Sequence, residues 1–484
     1  MSTLTIAWLT LTFVVGFMIY LIPKLDRYLA LLVVIISAGY SLQILTDQTS
    51  LTLNLLDNFG VTLVIDSLSG YFILTNALVT AAVILYCWQS HKTAFFYFQV
   101  VIAHGSLNAA FICADFISLY VALEVSGIAG FLLMAYPRTD RSIWVALRYL
   151  FISNIAMLFY LVGAVLVYQA SHSFSFAGLD EAPPEAIALV FLGLLVKGGV
   201  FVSGLWLPLT HAESETPVSA FLSGAMVKAG IYPLVRCALM VEQVDPIVRG
   251  FGVGAALLGV VWALFEQDTK RILAWSTISQ LGWILAAPAV GGVYALAHGV
   301  AKAALFLTAG ALPSRSLSQL KLQPMKTPIW IALAIGSLSI SGFPLLIGFG
   351  AKVLTLKSLL PWQVIVMNIA AVGTAMVYAK FIFLPHSQSG EGKPINGLAV
   401  ILLLTAILAA SGLYYHADLY DKVFTIENVI KALVIIGMGW LAQMIFSRTV
   451  QPSELQLPRI FEKFEHLVGV MSLILILLFW IVEI

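Results

Sequence analysis

Charge is scarce in this chain. Only 10% of its 484 residues are Asp, Glu, Lys or Arg, and 61% are hydrophobic, far above the roughly 45–50% apolar usage of soluble domains. Such a composition excludes an ordinary soluble globular domain, and a net charge of +1 offers no basic face to nucleic acid. Cysteine is rarer still. Cys87, Cys113 and Cys237 lie in or beside apolar runs with no CxxC spacing, which argues against a disulfide framework, a zinc site or an iron–sulfur cluster. No cofactor and no metal are expected. Long linkers are missing too, since the longest polar stretches are residues 171–185, 312–327, 386–396 and 448–465. The opening Met1-Ser2-Thr3-Leu4 has no basic n-region and no small-residue cleavage site after its apolar run, so the first span is expected to be retained.

Apolar runs fill the rest. Each is about 20 residues long, enough to cross a hydrocarbon core of about 30 Å. They predict an all-α polytopic membrane protein of about 14–16 transmembrane helices. The expected starts lie near residues 4, 27, 66, 93, 115, 141, 186, 214, 247, 270, 292, 328, 360, 397, 429 and 466. Basic residues cluster after alternate spans: Lys24 and Arg27, Lys92, Arg138 and Arg141, Lys270 and Arg271, then Arg315, Lys321 and Lys326. The loops near 46–65 and 171–185 hold no Lys or Arg, only acids such as Asp47, Asp57, Asp180 and Glu181. The positive-inside rule therefore places the N-terminus outside. Residues 413–431 mix acids, bases and apolar residues and fit an amphipathic surface helix. Residues 459–484 read as an amphipathic start followed by a further span.

Against this background, Glu124, Lys197, Lys228, Lys302 and Lys352 stand near the middle of apolar runs. Each charge at that depth costs about 2.5–3.5 kcal/mol on insertion scales. A path for a small ion, the proton first, accounts for the expense. A structural reading stands beside it. Glu124 would also neutralise a lysine and lock two helices, and Lys228 shares a helix face with Tyr232 and Arg236 in a stripe towards the interface. His298 lies four residues before Lys302 and faces the same way, which favours a relay over a lone core histidine. Asp115, Lys270 and Arg271 sit at span ends as anchors, while Lys380, Arg148 and His104 stay open. Residues 328–360 are too long for one crossing and are interrupted by Gly342-Phe-Pro344 and Gly348-Phe-Gly350. Freed backbone groups at that depth are tolerated only against protein or water. Lys197-Gly198-Gly199 repeats the pattern 155 positions earlier, and residues 156–166 resemble 303–312. A repeat of about five helices makes the second copy inverted.

The segment Leu205-Trp-Leu-Pro-Leu-Thr-His211-Ala-Glu213, running on through Pro217, Ser219, Lys228, Tyr232 and Arg236, resembles a signature of the antiporter-like subunits. These occur in respiratory complex I, Mrp-type sodium/proton antiporters and membrane-bound hydrogenases. Asp268-Thr-Lys270-Arg271 with Ser279-Gln-Leu-Gly282, His298-Gly-Val-Ala-Lys302, and Gly342-Phe-Pro344 through Lys352 are similar to further blocks of that family. The match covers residues 60–385, in order, and resembles most the D-type subunit of Mrp antiporters and the N- and M-type subunits of complex I. It implies two inverted five-helix repeats, each containing a discontinuous helix, with repeats at 93–240 and 247–385 between N-terminal helices (1–92) and C-terminal helices (386–484). It also implies a midplane proton pathway of Glu124, Lys197, Lys228, His298, Lys302 and Lys352. His211, Glu213, Glu215 and Lys380 are access or secondary positions. The chain departs from the family where Ser214-Glu215 replaces Ala-Pro, which adds a carboxylate at a helix start.

The mechanism expected from this set rests on lysine chemistry. A lysine in water titrates near about pH 10.4, burial disfavours its charge, and a nearby carboxylate favours it by about 1–3 pKa units. Moving Glu124 relative to Lys197 would then release a proton along the chain. The preferred function is Mrp-type cation (Na+)/H+ antiport within a multi-subunit membrane complex. The alternative is a proton-pumping subunit of a complex I-like oxidoreductase or membrane-bound hydrogenase. Expected partners are other membrane subunits, H+ and Na+ or another monovalent cation, and the bilayer of a bacterial-type plasma (inner) membrane, with no redox or hydrolytic site in this chain. A membrane scaffold is the third class, disfavoured by the charges and breaks together.

Overall fold

The computed structural model describes residues 2–48, 50–55, 60–391, 397–414, 420–449 and 463–483. Its N-terminal part runs α1 (Ser2–Leu21), α2 (Asp26–Asp47), a hairpin of β1 (Leu51–Asn54) and β2 (Thr62–Ile65), α3 (Ser67–Tyr86) and α4 (Ala94–Ala110). Then follow α5 (Phe116–Met134), α6 (Asp140–Ser171), α7 (Pro184–Gly198), α8 (Leu207–Glu213), α9 (Thr216–Phe221) and α10 (Lys228–Met240). The next group is α11 (Asp245–Phe265), α12 (Thr269–Ala286), α13 (Gly291–Ala309) and the short α14 (Leu317–Leu320). After β3 (Met325–Lys326) come α15 (Thr327–Ser341), α16 (Ile347–Lys357), α17 (Pro361–Ile382) and β4 (His386–Ser387), which pairs with β3. The last helices are α18 (Leu398–Tyr414), α19 (Tyr420–Val423), α20 (Ile426–Thr449) and α21 (Phe464–Glu483).

Among the described residues, 12 helical runs are long and apolar enough to cross a membrane. The four other expected spans are helices as well. They are α4 and α18, which are shorter, α12, which is more polar, and the split pair α15–α16. The all-α polytopic reading therefore holds. Asp57, residues 415–419 of the expected surface segment and residues 459–462 of the last segment lie outside the described residues.

Local chemistry sets several helix ends. Asp66 and Ser69 form a reciprocal capping box at the start of α3, and Thr139 and Ser142 form another at α6. Proline occupies the first turn of α7, α8, α9, α11, α15 and α17, where its missing N–H costs nothing. Loops also gather on two opposite faces. Lys92–Glu215 (2.6 Å), Arg141–Glu213 (3.4 Å) and Arg315–Asp268 (2.8 Å) knit one face. Arg236–Asp66 (2.5 Å) and the bridges Leu63 to Cys113 and Asp115 to Ser175 knit the other. The split matches the alternation of basic loops in the sequence.

The most apolar 18-residue stretch of the run from α9 to α10 is wholly buried, whereas only 11% of the matching stretch of α20 and 22% of that of α21 is buried, so the former lies at the centre and the latter two at the periphery. Two helices are broken there. At the first break, Gly199 takes a left-handed φ of 64° and closes α7, and Phe201 follows at φ 54° before a 3-10 turn leads into α8. The last carbonyls of α7 accept from the Val200 and Gly199 N–H groups, and side chains add second bonds: Ser203 Oγ donates to Leu195 O (2.8 Å) and Trp206 Nε1 to Val196 O (3.0 Å). At the second break, Gly342 (φ 85°) closes α15 and Leu345 (φ 75°) precedes α16. The interruption of residues 328–360 thus falls at Gly342-Phe-Pro344, as expected, whereas Gly348-Phe-Gly350, expected as a second interruption, lies inside α16, where glycine is tolerated in a helix whose ladder is otherwise complete.

Candidate functional site

Glu124 sits midway along α5 and Lys197 at the C-terminal end of α7, where the helix dipole favours a cation. Their charged atoms, Oε1 and Nζ, are 4.0 Å apart. That carboxylate oxygen has no hydrogen-bond partner, while Nζ donates to Ser153 Oγ at 2.8 Å. Gly127, on the same face of α5, makes room for the ammonium, because a β-carbon there would lie 2.6 Å from Nζ. The end of α7 then packs against α10, with Gly198 fitted against Gly230, two residues from Lys228.

Lys228 is fully buried. A π-helical turn at Leu222–Met226 loosens the backbone ladder, and two of its carbonyls accept from the lysine: Gly224 O at 2.6 Å and Ser223 O at 3.2 Å. The lysine stem lies against Gly299 of α13, where an added β-carbon would be 3.4 Å from Lys228 Cε. His298 is the residue next to it. Both ring nitrogens of His298 are buried without a hydrogen-bond partner. The ring borders a void of about 10 Å³ shared with Gln280, Tyr294, Ser339 and Gly348, room for about one water. The void joins α13 to the second break.

One turn on, Lys302 donates to Leu273 O (2.7 Å) and Tyr378 OH (3.0 Å), and Tyr378 OH pairs with Ser276 Oγ (2.7 Å). Lys352 on α16 reaches back across the break to Ser341 O (3.3 Å), its Nζ 5.0 Å from the Trp283 ring centre. Of the six expected pathway residues, Lys197, Lys228, His298, Lys302 and Lys352 are buried and Glu124 is partly exposed; they lie on α5, α7, α10, α13 and α16, linked by the contacts described above.

The secondary positions divide. His211 is buried with neither ring nitrogen bonded, and stacks on Phe306 at 4.8 Å, one turn beyond Lys302. Glu213 pairs with Arg141, and Glu215 is held by Lys92 at 2.6 and 2.7 Å. Lys380 donates to Ala263 O (3.1 Å), Leu264 O and Glu266 O (3.2 Å), so it closes the C-terminus of α11. Lys270, expected as an end anchor, is buried and donates to Ser214 O (2.7 Å). His104 belongs to a separate buried network with Thr80, Ser37 and Asn108. Arg148 is buried, its guanidinium 6.0 Å from the Trp144 ring. Sequence reasoning missed Ser153, Tyr378 and Trp283. Hydroxyl and indole groups are cheaper to place in a span than charges and are common there, so nothing in the sequence marks these three.

Comparison with known proteins bears on the family and the fold. Residues 113–377 match the family model described as NADH:quinone oxidoreductase/Mrp antiporter, TM. The chain is 27% identical over 497 aligned positions to the D-type subunit of the Na(+)/H(+) antiporter of Alkalihalophilus pseudofirmus, covering 89% of this chain and 100% of that one. It is 32% identical over 329 positions to the N-type subunit of the NADH-quinone oxidoreductase of Desulforudis audaxviator, covering 61% of this chain and 66% of that one. A chain in the structure of the Mrp complex from Dietzia sp. superposes with a TM-score of 0.79 at 21% identity, over 97% of this chain and 59% of that chain. That last likeness concerns the fold.

Proposed function

The chain belongs to the NADH:quinone oxidoreductase/Mrp antiporter transmembrane family, and from that membership we propose that it moves protons along its buried layer of charges. The observation that carries this reading is the loose Glu124–Lys197 pair, at 4.0 Å, placed at one end of a connected set of buried titratable groups. At 4 Å two unit charges interact by about 4 kcal/mol at an effective dielectric of 20. Changing that separation alters which protonation state of the lysine is favoured. Protons then pass by Lys228, His298 and Lys302 to Lys352. The direction is set by whatever moves the pair, because a population shifts only under a differential free energy. His211, Glu213 and Glu215 serve access from the face knitted by Lys92 and Arg141, and Lys380 is secondary.

Two five-helix repeats, 93–240 and 247–385, fit the two breaks: the broken spans are five apart, so the second copy runs in the opposite sense if every span crosses. The N-terminus then faces outside a bacterial-type inner membrane, by the basic loops. As one member of a multi-subunit complex the chain exchanges H+ for Na+ or another monovalent cation; its similarity to a D-type antiporter chain over nearly its full length supports this. The second reading, a proton-pumping subunit of a redox complex, is supported by its 32% identity to an N-type subunit. The native complex, purified and reconstituted in vesicles, separates them. Sodium-driven proton movement without redox cofactors supports antiport, and quinone-dependent proton movement supports the pump. Glu124→Gln is expected to remove either activity while the complex still assembles. Full activity in that variant would sink the proposed axis.

A further inference from the structure

The buried lysines of the proposed pathway are held in two ways. Lys228 donates to Gly224 O (2.6 Å) and Ser223 O (3.2 Å), and Lys352 donates to Ser341 O (3.3 Å). These partners are backbone carbonyls, which only accept. Lys197 and Lys302 each meet a hydroxyl. Lys197 Nζ lies 2.8 Å from Ser153 Oγ, and Ser153 is hydrogen-bonded in turn to the Tyr149 side chain, one turn back on α6. Lys302 Nζ lies 3.0 Å from Tyr378 OH on α17, which is 2.7 Å from Ser276 Oγ on α12. The same two residue types thus serve both lysines, in opposite order and from unrelated helices. Tyr149, Ser153, Ser276 and Tyr378 are all buried.

The difference matters when a lysine gives up its proton. An ammonium has three donors and no acceptor; the neutral amine keeps two donors and gains a lone pair. Beside a carbonyl that lone pair finds no donor, and a buried polar group left unpaired is costly. Beside a hydroxyl the bond reverses. With Lys302 charged, its N–H points to the Tyr378 oxygen and the Tyr378 O–H to Ser276. With Lys302 neutral, the Tyr378 O–H turns to the amine nitrogen and the Ser276 O–H turns to Tyr378. Each hydroxyl keeps its own proton and only rotates, so the proton lost by the lysine is the one that leaves. No heavy atom has to move, because both separations suit a bond in either direction. Leu273 O, at 2.7 Å, accepts from another Lys302 N–H throughout. At Lys197 the Ser153 O–H turns in the same way, with Tyr149 in the outer place.

We propose that Tyr378–Ser276 and Ser153–Tyr149 are reversible hydroxyl pairs, which keep Lys302 and Lys197 hydrogen-bonded in both protonation states and make them the two lysines of the pathway that rest neutral during transport. Lys228 and Lys352, bonded to carbonyls, rest charged. The four hydroxyl residues are positioning residues, acting through the lysines, and the inference rests on the proton movement proposed above.

Proton movement by the reconstituted complex in vesicles, scaled to the amount assembled, tests this. Tyr378→Phe keeps the ring and removes the hydroxyl, and is expected to slow proton movement at least about tenfold. Ser276→Thr and Ser276→Val share a shape and differ by a hydroxyl, as do Ser153→Thr and Ser153→Val. Each Thr variant is expected to run at least about fivefold faster than its Val partner. The double variant Tyr378→Phe with Ser276→Ala is expected to be no slower than Tyr378→Phe alone, because the serine acts through the tyrosine. Equal rates within a Thr and Val pair would overturn the hydroxyl pairs, and so would losses that multiply in the double variant. Tyr378→Phe and Ser276→Ala only remove atoms, so they carry the test even if the larger side chains prevent assembly. Loss of transport in Lys302→Ala with a full rate in Tyr378→Phe would fail the hydroxyl pair alone. A full rate in Lys302→Ala would instead fail the proposed function.

Discussion

The two helix breaks are built on one plan and finished differently. Each begins with a left-handed glycine, Gly199 or Gly342, followed within three residues by a non-glycine at positive φ, Phe201 or Leu345. Each leaves a lysine, Lys197 or Lys352, against the interruption. At the first break a carboxylate stands 4.0 Å from the lysine, and Ser203 and Trp206 add second bonds to the last carbonyls of α7. At the second there is no carboxylate partner for the lysine among the described residues, and the lysine itself bonds the Ser341 carbonyl. The first lysine thus faces a charge, and the second faces a backbone carbonyl.

The largest expected effect treats both breaks alike. Lys197→Ala and Lys352→Ala are each expected to lower ion-coupled proton movement in vesicles by at least about a hundredfold, a barrier change of about 2.7 kcal/mol. A variant that keeps more than a tenth of the rate would show that its break lies off the path. Next come the glycines. At Gly342 an added β-carbon would stand 2.8 Å from Lys352 Cδ, whereas at Gly199 it would press on the Leu207 side chain. Both alanine variants are strained by positive φ, at about 1–2 kcal/mol. Gly342→Ala is expected to lose more transport than Gly199→Ala at equal loss of thermal stability. Equal transport losses would erase the distinction between them.

A smaller effect tests the seal of the first break. Trp206→Phe removes one donor to Val196 O, which still accepts from Gly199 N–H, and is expected to cost about 0.5–1.5 kcal/mol in denaturant stability, with no matching group at the second break. The smallest concerns Asp66, whose pair with Arg236 pins the buried α10 to the start of α3. Burial raises the Asp66 carboxyl, but the Arg236 hydrogen bond and charge, with the Ser69 N–H, outweigh it and hold the group below its ordinary value. A depressed folded-state value means the contribution is full above about pH 4 and is lost as pH falls through it. Asp66→Asn is therefore expected to lower the melting temperature at pH 7, by a margin that shrinks below about pH 4. A margin constant with pH would show that the pair contributes through shape alone.

Much of this was legible because lipid makes irregularity conspicuous. A charge, or a Gly-Phe-Pro run, inside an apolar stretch has few innocent explanations, so Lys197, Lys352 and both interruptions could be located from composition alone. The register between helices could not. The pairing of Glu124 with Lys197 came only with the family resemblance, and that Lys228 finds the carbonyls of a π turn depends on how helices rotate when packed. The same blindness left the partners of Lys380 and Lys270 unread. From the sequence the first is one more charge inside a span and the second an anchor, yet Lys380 closes the distant end of α11 and Lys270 reaches the Ser214 carbonyl from within. Ser153, Tyr378 and Trp283 contribute donors, acceptors and a ring face, which are ordinary in any helix. The covering of the breaks by α20 and α21 involves long-range packing that periodicity does not encode.

The position of α21 has a consequence for synthesis. It packs on α6, α7 and the 3-10 turn of the first break, yet it lies in the chain beyond the whole second half. A chain inserted from its N-terminus carries its first break uncovered while every helix of the second half is made. The first break is therefore covered only when α21 arrives, and a chain stalled between α10 and α20 would be a membrane protein with one unfinished wall.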